Sequence, residues 1–182
     1  MYNFGAFFKT FMLECSPQDL LNFYPDTDYE DIRFESEKRK DSLSDLLDEF
    51  EINIRKLIHK VLDNKYPDFW RELEKIDNSE KPVTDKTKKG ITNEIIKNPF
   101  LKEHELERLQ YCDIYDYQKI IIKFWDAFHP VFLSKDTMKK HFDNIVELRN
   151  PKRHVRPPNT IQIEMGRASI KWFDKIFKEQ EI

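Results

Sequence analysis

The chain has 182 residues, a net charge of −3 and a mean hydropathy of −0.75. This length predicts one domain with a substantial core, and three glycines against fifteen phenylalanines favour helices packed through aromatic rings over a turn-rich β fold. A slightly acidic protein does not coat nucleic acid non-specifically, so any RNA contact must come from a local basic patch.

The first predicted element is an aromatic N-terminal helix. Four phenylalanines recur at spacings of three and four residues, which places them on one helical face. These residues are Phe4, Phe7, Phe8 and Phe11. The simplest interpretation is that this aromatic stripe packs on the protein's own core, and the alternative is that it contacts a partner protein or a membrane.

A long amphipathic helix is predicted from about residue 42 to residue 64, because its apolar residues repeat with helical spacing. Glu51 and Arg55 form a supportive pair four residues apart on this helix. His59 is interpreted as a partly buried packing residue, since no second ligand lies at a metal-like spacing from it. Pro67 is predicted to begin a further short helix.

The next part of the chain is predicted to be less regular. Residues 77–90 are polar and contain a proline and a glycine, so we predict a surface loop there. Short helical segments are expected at residues 91–97 and 101–111. Asp116 is expected to cap a central core helix that extends to about Phe128.

Two helices are predicted at the C-terminal end. Ser134 caps the first of them, which ends at Pro151 because proline disrupts a helix, and Asn159 or Thr160 begins the second. The buried side of the first helix is predicted to comprise Met138, Phe142, Ile145, Val146 and Leu148. The apolar positions of the second are Ile161, Ile163, Met165, Ile170, Phe173, Ile176 and Phe177, with Trp172 beside them.

Positive charge is concentrated where these two helices meet. We call this segment the basic corner, and its members are Arg149, Asn150, Lys152, Arg153, His154 and Arg156. Helix termination accounts for its first residues, because an arginine complements the helix dipole and an asparagine adopts the left-handed conformation. Termination leaves His154 and the remaining cations without a role, so the pattern also indicates a functional site.

The string Glu147-Leu148-Arg149-Asn150-Pro151-Lys152-Arg153-His154 resembles the signature of the HEPN superfamily, in which an arginine, a polar residue, a short spacer and a histidine follow one another. The resemblance extends from about residue 42 to the C-terminus. It implies an all-α, HEPN-like antiparallel helical bundle, usually dimeric and often a metal-independent endoribonuclease. Many members have lost activity and serve as RNA-binding or assembly modules. Pro157 and Pro158 make this corner more rigid than is common in the family.

The predicted domain organisation follows from the part of the chain that this resemblance covers. Residues 36–182 are predicted to form the HEPN-like helical domain. Residues 1–35 are predicted to form an extra aromatic N-terminal helix and a connector, which serve oligomerisation or contact with a membrane or partner. Cys15 and Cys112 are isolated, and no signal peptide or spanning segment is evident. The expected location is therefore the cytoplasm, with membrane association as the alternative.

RNA carries its own nucleophile, the 2′-hydroxyl, so its cleavage needs an acid, a base and a cation at the phosphate. A histidine exchanges protons near neutral pH, and a guanidinium binds two phosphate oxygens at once. We therefore assign catalysis to His154 and Arg149, with Asn150 orienting the phosphate, the sugar or the histidine. RNA binding is assigned to Lys152, Arg153 and Arg156. No metal or other cofactor is expected.

Two functions are consistent with these residues. The first is an RNA endoribonuclease of an antiviral-defence or toxin-type system. Since one chain supplies one copy of His154, a homodimer or larger homo-oligomer would bring two copies into one cleft. The alternative is a catalytically weak or inactive oligomer that acts as a CRISPR-associated accessory effector and reaches a membrane through its N-terminal helix.

Overall fold

The computed structural model describes residues 29–103, 106–153 and 158–182, and side chains are described from residue 43 onward except at residues 150–153. All regular structure in these ranges is helical, so the predicted all-α class is confirmed. The α-helices are α1 (Tyr29–Asp63), α2 (Phe69–Ile76), α3 (Val83–Lys97), α4 (Ile114–Lys123), α5 (Trp125–Phe132), α6 (Lys135–Arg153) and α7 (Thr160–Glu179). A 3-10 helix, Arg108–Tyr111, precedes α4.

Helix α1 is longer than the sequence pattern predicted. It begins at Tyr29, so helix lies on both sides of the proposed boundary at residue 35. Its apolar residues repeat every three or four positions and form one buried face against the rest of the bundle. The buried members are Leu43, Leu47, Phe50, Ile54, Leu57, Ile58 and Leu62.

Phenylalanine rings join α1, α6 and α7 at the centre of the core. The ring centroid of Phe173 lies 5.0 Å from that of Phe50 and 4.9 Å from that of Phe142, both in edge-to-face geometry. Phe177 stacks on Phe173 one turn later. All four rings are buried. Truncating one such ring to alanine typically costs about 3–5 kcal/mol, so this cluster holds the three helices together.

Helices α6 and α7 pack antiparallel. Leu148, near the end of α6, lies against Gly166 of α7, whereas His141 of α6 contacts Ser169 and Trp172 further along α7. The five residues predicted to form the buried side of α6 are all buried. Of the apolar positions named for α7, Ile161 and Met165 are exposed, whereas Ile170, Phe173, Ile176 and Phe177 are buried.

The surface loop predicted at residues 77–90 is only partly present. Residues 77–82 are irregular, but helix α3 begins at Val83 and includes residues 83–90, so the prediction was wrong for that half. Buried Asp77 accepts hydrogen bonds from the backbone N–H groups of Val83 (3.1 Å) and Ser79 (3.3 Å), which satisfies an N–H at the start of the helix. Lys86 bridges α3 to the start of α4. These tertiary contacts stabilise a helix that its own sequence favours weakly.

The central helix also differs from the prediction. Asp113 caps α4 and Asp116 occupies the third helical position, where the two residues form a reciprocal capping box. The helix is interrupted at Phe124, and a second helix, α5, begins at the next residue. The prediction of a single helix to Phe128 was therefore wrong. Within the helical segment expected at residues 101–111, the described residues contain the 3-10 helix Arg108–Tyr111 and no α-helix.

Helix α6 continues past Pro151 to Arg153, so the predicted helix end at this proline was wrong. A proline removes the hydrogen bond to the carbonyl four residues earlier. That residue is Glu147, which is exposed, so water can satisfy its carbonyl. The caps predicted for the two C-terminal helices are confirmed: Ser134 Oγ accepts from Thr137 N at 3.3 Å, and Asn159 caps α7.

Among the described residues, no helix combines the length and the apolar composition that crossing a bilayer requires.

Candidate functional site

The basic corner lies at the C-terminal end of α6. The side chain of Arg149 is described, while Asn150, Lys152 and Arg153 are placed by their helical backbone alone. His154 and Arg156 lie outside the described residues. The predicted meeting of Arg149 with His154 therefore stays a prediction.

Arg149 is held by an acidic residue of α1. Its Nη2 atom lies 3.1 Å from Oε1 of Glu51, and the side chains are 34% and 15% exposed respectively. Burial raises the pKa of Glu51, while Arg149 and Arg55 oppose that rise by favouring the carboxylate. The ion pair thus fixes the guanidinium at the junction of α1 and α6. A guanidinium carries five N–H donors, so the exposed part can still bind a phosphate.

The extension of α6 changes how the corner is arranged. Because the helix runs to Arg153, positions 149, 152 and 153 are separated by three and four residues and share one face of α6. A turn at Pro151 would have separated them. The next residue in the chain is His154. Three of the predicted cationic positions therefore recur at helical spacing on α6, and the predicted catalytic histidine follows them in the sequence.

The polar face of α1 continues from Glu51 toward the C-terminal end of that helix. Arg55, one turn after Glu51, lies beside the hydroxyl of buried Tyr117 and electrostatically favours its ionised form. That hydroxyl donates in turn to the carbonyl oxygen of Leu109 at 3.0 Å. Burial raises the pKa of Tyr117, so its hydroxyl keeps its proton across the neutral range.

One turn further, His59 makes polar contacts through both ring nitrogens. Nδ1 lies 3.1 Å from Oδ2 of Asp63, and Nε2 lies 3.0 Å from Oε1 of Glu107. The ring is half-buried and packs edge-on against Phe69, as the packing interpretation expected. The two carboxylates were not expected, because Glu107 is remote from His59 in the sequence.

An open depression lies along this part of α1. Its volume is about 410 Å³, and it is lined by Ile52, Arg55, Lys56, His59 and Glu107. Within the described part of the chain, no cluster of three or more histidine, cysteine, aspartate or glutamate side chains could hold a metal ion.

Sequence reasoning missed Glu51 as the partner of Arg149. The pattern paired Glu51 with Arg55 on the same helix, whereas its carboxylate contacts Arg149 on α6. A signal was present, because residue 51 follows Phe50 at the edge of the buried face of α1. A carboxylate at such a boundary needs a cationic partner from a neighbouring helix.

A second polar cluster lies between α6 and α7. Ser169 is 1% exposed, and its hydroxyl lies 3.0 Å from both His141 Nδ1 and Asn144 Nδ2. The His141 ring stacks on Trp172 with a centroid distance of 4.2 Å. Burial, together with the nearby Lys140, lowers the pKa of His141. Because its serine is enclosed by the two helices, this cluster is a packing element and not a nucleophilic site.

No family model, curated protein or solved structure matches the chain. Membership of the HEPN superfamily therefore stays a prediction from the string Glu147–His154. The aromatic stripe at Phe4, Phe7, Phe8 and Phe11, with its partner or membrane contact, lies outside the described residues.

Proposed function

We propose that the protein is an RNA-targeting endoribonuclease of an antiviral-defence or toxin-type system, with Arg149 and His154 as its catalytic residues. The observation that carries the proposal is the ion pair of Arg149 with Glu51. It orients a partly exposed guanidinium at the end of α6, beside the cationic positions that precede His154. A preorganised cation is what stabilises the charge that develops on a phosphate during cleavage.

The proposed reaction is a transesterification. The 2′-oxygen attacks phosphorus while a base accepts its proton, and the 5′-oxygen leaves as an acid protonates it. The products are a 2′,3′-cyclic phosphate and a 5′-hydroxyl. Arg149 binds the non-bridging oxygens through its exposed N–H groups, and His154 transfers the protons. Asn150 orients the phosphate, the sugar or the histidine.

The acid and the base come from two copies of His154 in a homodimer. In an isologous interface, a two-fold axis relates the same surface of both subunits, so equivalent residues near that axis lie close together. Helices α6 and α7 flank the basic corner, so they are the proposed interface. The exposed apolar residues Ile161 and Met165 on α7 support this choice, since burying them in a dimer is favourable.

The proposal is tested with purified protein, a pool of RNA oligonucleotides and substrates that carry 2′-deoxyribose at single positions. Cleavage is expected to leave cyclic phosphate ends and to stop where the nucleotide before the scissile bond lacks its 2′-hydroxyl. His154→Ala is expected to abolish cleavage. The matched control is Lys97→Ala, at an exposed position of α3 away from the proposed interface. Cleavage of the all-deoxy strand, or full activity in His154→Ala, would rule the mechanism out.

A second candidate is the non-catalytic oligomer that acts as an accessory effector, with a membrane-active N-terminal helix. The Glu51 contact favours it, because a carboxylate on Arg149 competes with phosphate. Light scattering and liposome leakage separate the two functions. The effector requires a large oligomer and leakage that is lost when residues 1–14 are deleted. A dimer without leakage whose nuclease activity survives that deletion eliminates it.

A further inference from the structure

The depression along α1 has the composition of a nucleic-acid phosphate site. Arg55, Lys56 and His59 line it together with the acidic residue Glu107. Lys56 is exposed and forms no ion pair within the described part of the chain. Arg55 is half-buried at the wall of the depression, where it also lies beside the hydroxyl of buried Tyr117. Two cationic side chains in one open depression favour the binding of a phosphate group.

A stacking surface lies near this depression. The guanidinium of Arg108 sits over the Trp70 ring at 5.8 Å, and the Trp70 ring lies 5.0 Å from that of Phe69. His59 packs on the same Phe69 and contacts Glu107, the neighbour of Arg108. Nucleic-acid bases stack on aromatic rings and on arginine planes. Phosphate-binding and base-stacking groups therefore occur side by side.

These groups lead away from Arg149 along one helix face. Glu51, which holds Arg149, is followed after four residues by Arg55 and after eight by His59. At 1.5 Å per residue, the face advances about 6 Å and then about 12 Å from the Arg149 contact. A chain whose phosphate lies at Arg149 can thus reach the depression with a neighbouring phosphate and the Arg108–Trp70 surface with a base.

We propose that Arg55, Lys56, His59, Arg108 and Trp70 form a binding track for single-stranded RNA that extends from the basic corner along α1. The track rests on the proposed function for its link to cleavage, but its binding can be measured separately. Its ligand is a single strand because duplex bases are not available to stack on Arg108.

The test measures binding of a 2′-O-methyl RNA strand, which cannot be cleaved because its 2′-oxygen is blocked. Lys56→Ala is expected to weaken binding about five- to tenfold and to reduce the slope of log K against log salt by about 0.7, the value for one phosphate contact in a single strand. Lys175→Ala, an exposed lysine on α7 outside the track, is expected to change neither quantity.

A variant that is expected to strengthen binding keeps the test independent of folding defects, because a misfolded protein would not bind RNA more tightly. Glu107→Gln removes the negative charge from the depression while an amide still contacts His59, so binding is expected to tighten several-fold. Unchanged binding in both Lys56→Ala and Glu107→Gln would overturn the track. The track would also be overturned if the protein bound the matching duplex as tightly as the single strand. The same holds if it bound AMP alone as tightly as the strand and this binding depended on Lys56.

Failure of the track and failure of the nuclease give different results. If the RNA strand binds and Lys56→Ala weakens that binding, the track stands even when no RNA is cleaved. If RNA is cleaved with the expected ends but Lys56→Ala binds like the unaltered protein, the nuclease stands and the track does not.

Discussion

Glu51 is the residue on which the geometry of the site depends. Its carboxylate is largely buried, and burial raises its pKa because the charged form loses hydration. Arg149 recovers part of that loss by ion pairing. The pair therefore contributes little net stability, as is usual for buried ion pairs, and its main effect is to restrict where the guanidinium can lie.

Replacing Glu51 separates positioning from binding. In Glu51→Gln, the guanidinium keeps its charge but loses its anionic partner, so we expect kcat for RNA cleavage to fall about tenfold while KM stays equal or decreases. Steady-state kinetics measure both constants. An increase in KM with unchanged kcat would show that Glu51 serves substrate binding and not the placement of Arg149.

Glu51→Gln is also expected to change how the stability of the protein depends on pH. Because the pKa of Glu51 is raised in the folded protein, its contribution to stability is full below the unfolded pKa and is lost as pH rises through the folded pKa. Glu51→Gln lacks this dependence. In urea unfolding, the free energy of unfolding of the variant should increase relative to that of the unaltered protein as pH rises from about 4 to about 7. A constant difference across that range would contradict the shift.

His141 predicts a dependence of the opposite sign. Its pKa is lowered from 6.5 by burial and by Lys140, so the unfolded chain binds this proton more readily than the folded protein does. Stability is therefore expected to decrease as pH falls through about 6.5. His141→Phe keeps a ring against Trp172 but cannot titrate, so it should remove this part of the pH dependence. Urea unfolding curves at several pH values measure this dependence. The control is His129→Gln, at an exposed position, which should retain the pH dependence due to His141.

At the scale of elements, the contact between α6 and α7 depends on Gly166. A β-carbon at this position would lie 2.8 Å from the β-carbon of buried Leu148. Alanine favours a helix over glycine by about 1 kcal/mol, but this clash forces the two helices apart. Gly166→Ala is therefore expected to destabilise the fold by roughly 1–3 kcal/mol.

Thermal or urea unfolding measures that loss, and Arg167→Ala at the neighbouring exposed position should change stability by less than about 0.5 kcal/mol. The displacement also moves the end of α6, so RNA cleavage should decline with stability. A Gly166→Ala protein as stable as the unaltered one would mean that α6 and α7 lie further apart than in this structure.

Periodicity predicted the elements that bury a continuous apolar face. The buried residues of α6 and of α1 from Leu43 onward follow directly from spacing, because helical geometry places every third or fourth residue on one side. The second half of helix α3 was predicted at residues 91–97, but its first half, residues 83–90, did not follow from the sequence. Threonines and Gly90 favour helices poorly, and the start of the helix depends on Asp77.

The candidate site was predictable only in part. The residues of the basic corner are visible in the sequence, because cations and a histidine cluster there. The Glu51 contact is not, since it joins two helices that are far apart in the chain. The passage of α6 through Pro151 depends on the solvent exposure of Glu147, which local sequence does not determine.

At the scale of the whole molecule, the proposed site is complete only when two chains meet. A single chain offers one Arg149 and one His154, and the reaction needs both an acid and a base. Mixing Arg149→Ala with His154→Ala protein therefore gives heterodimers whose shared cleft holds one Arg149 and one His154. Because the reaction needs both histidines, these heterodimers are expected to stay inactive. Activity of the unaltered protein would depend on protein concentration, as such an assembly requires.

The most direct test of the central claim is the single-turnover rate of RNA cleavage by Arg149→Ala, compared with the unaltered protein and with Arg149→Lys. We predict that Arg149→Ala slows cleavage about 10²- to 10³-fold while circular dichroism and oligomeric state stay unchanged. Arg149→Lys should recover only part of the rate, because an ammonium cannot bind two phosphate oxygens as a guanidinium does. Cleavage by Arg149→Ala at the unaltered rate would contradict the assignment of this corner as the active site.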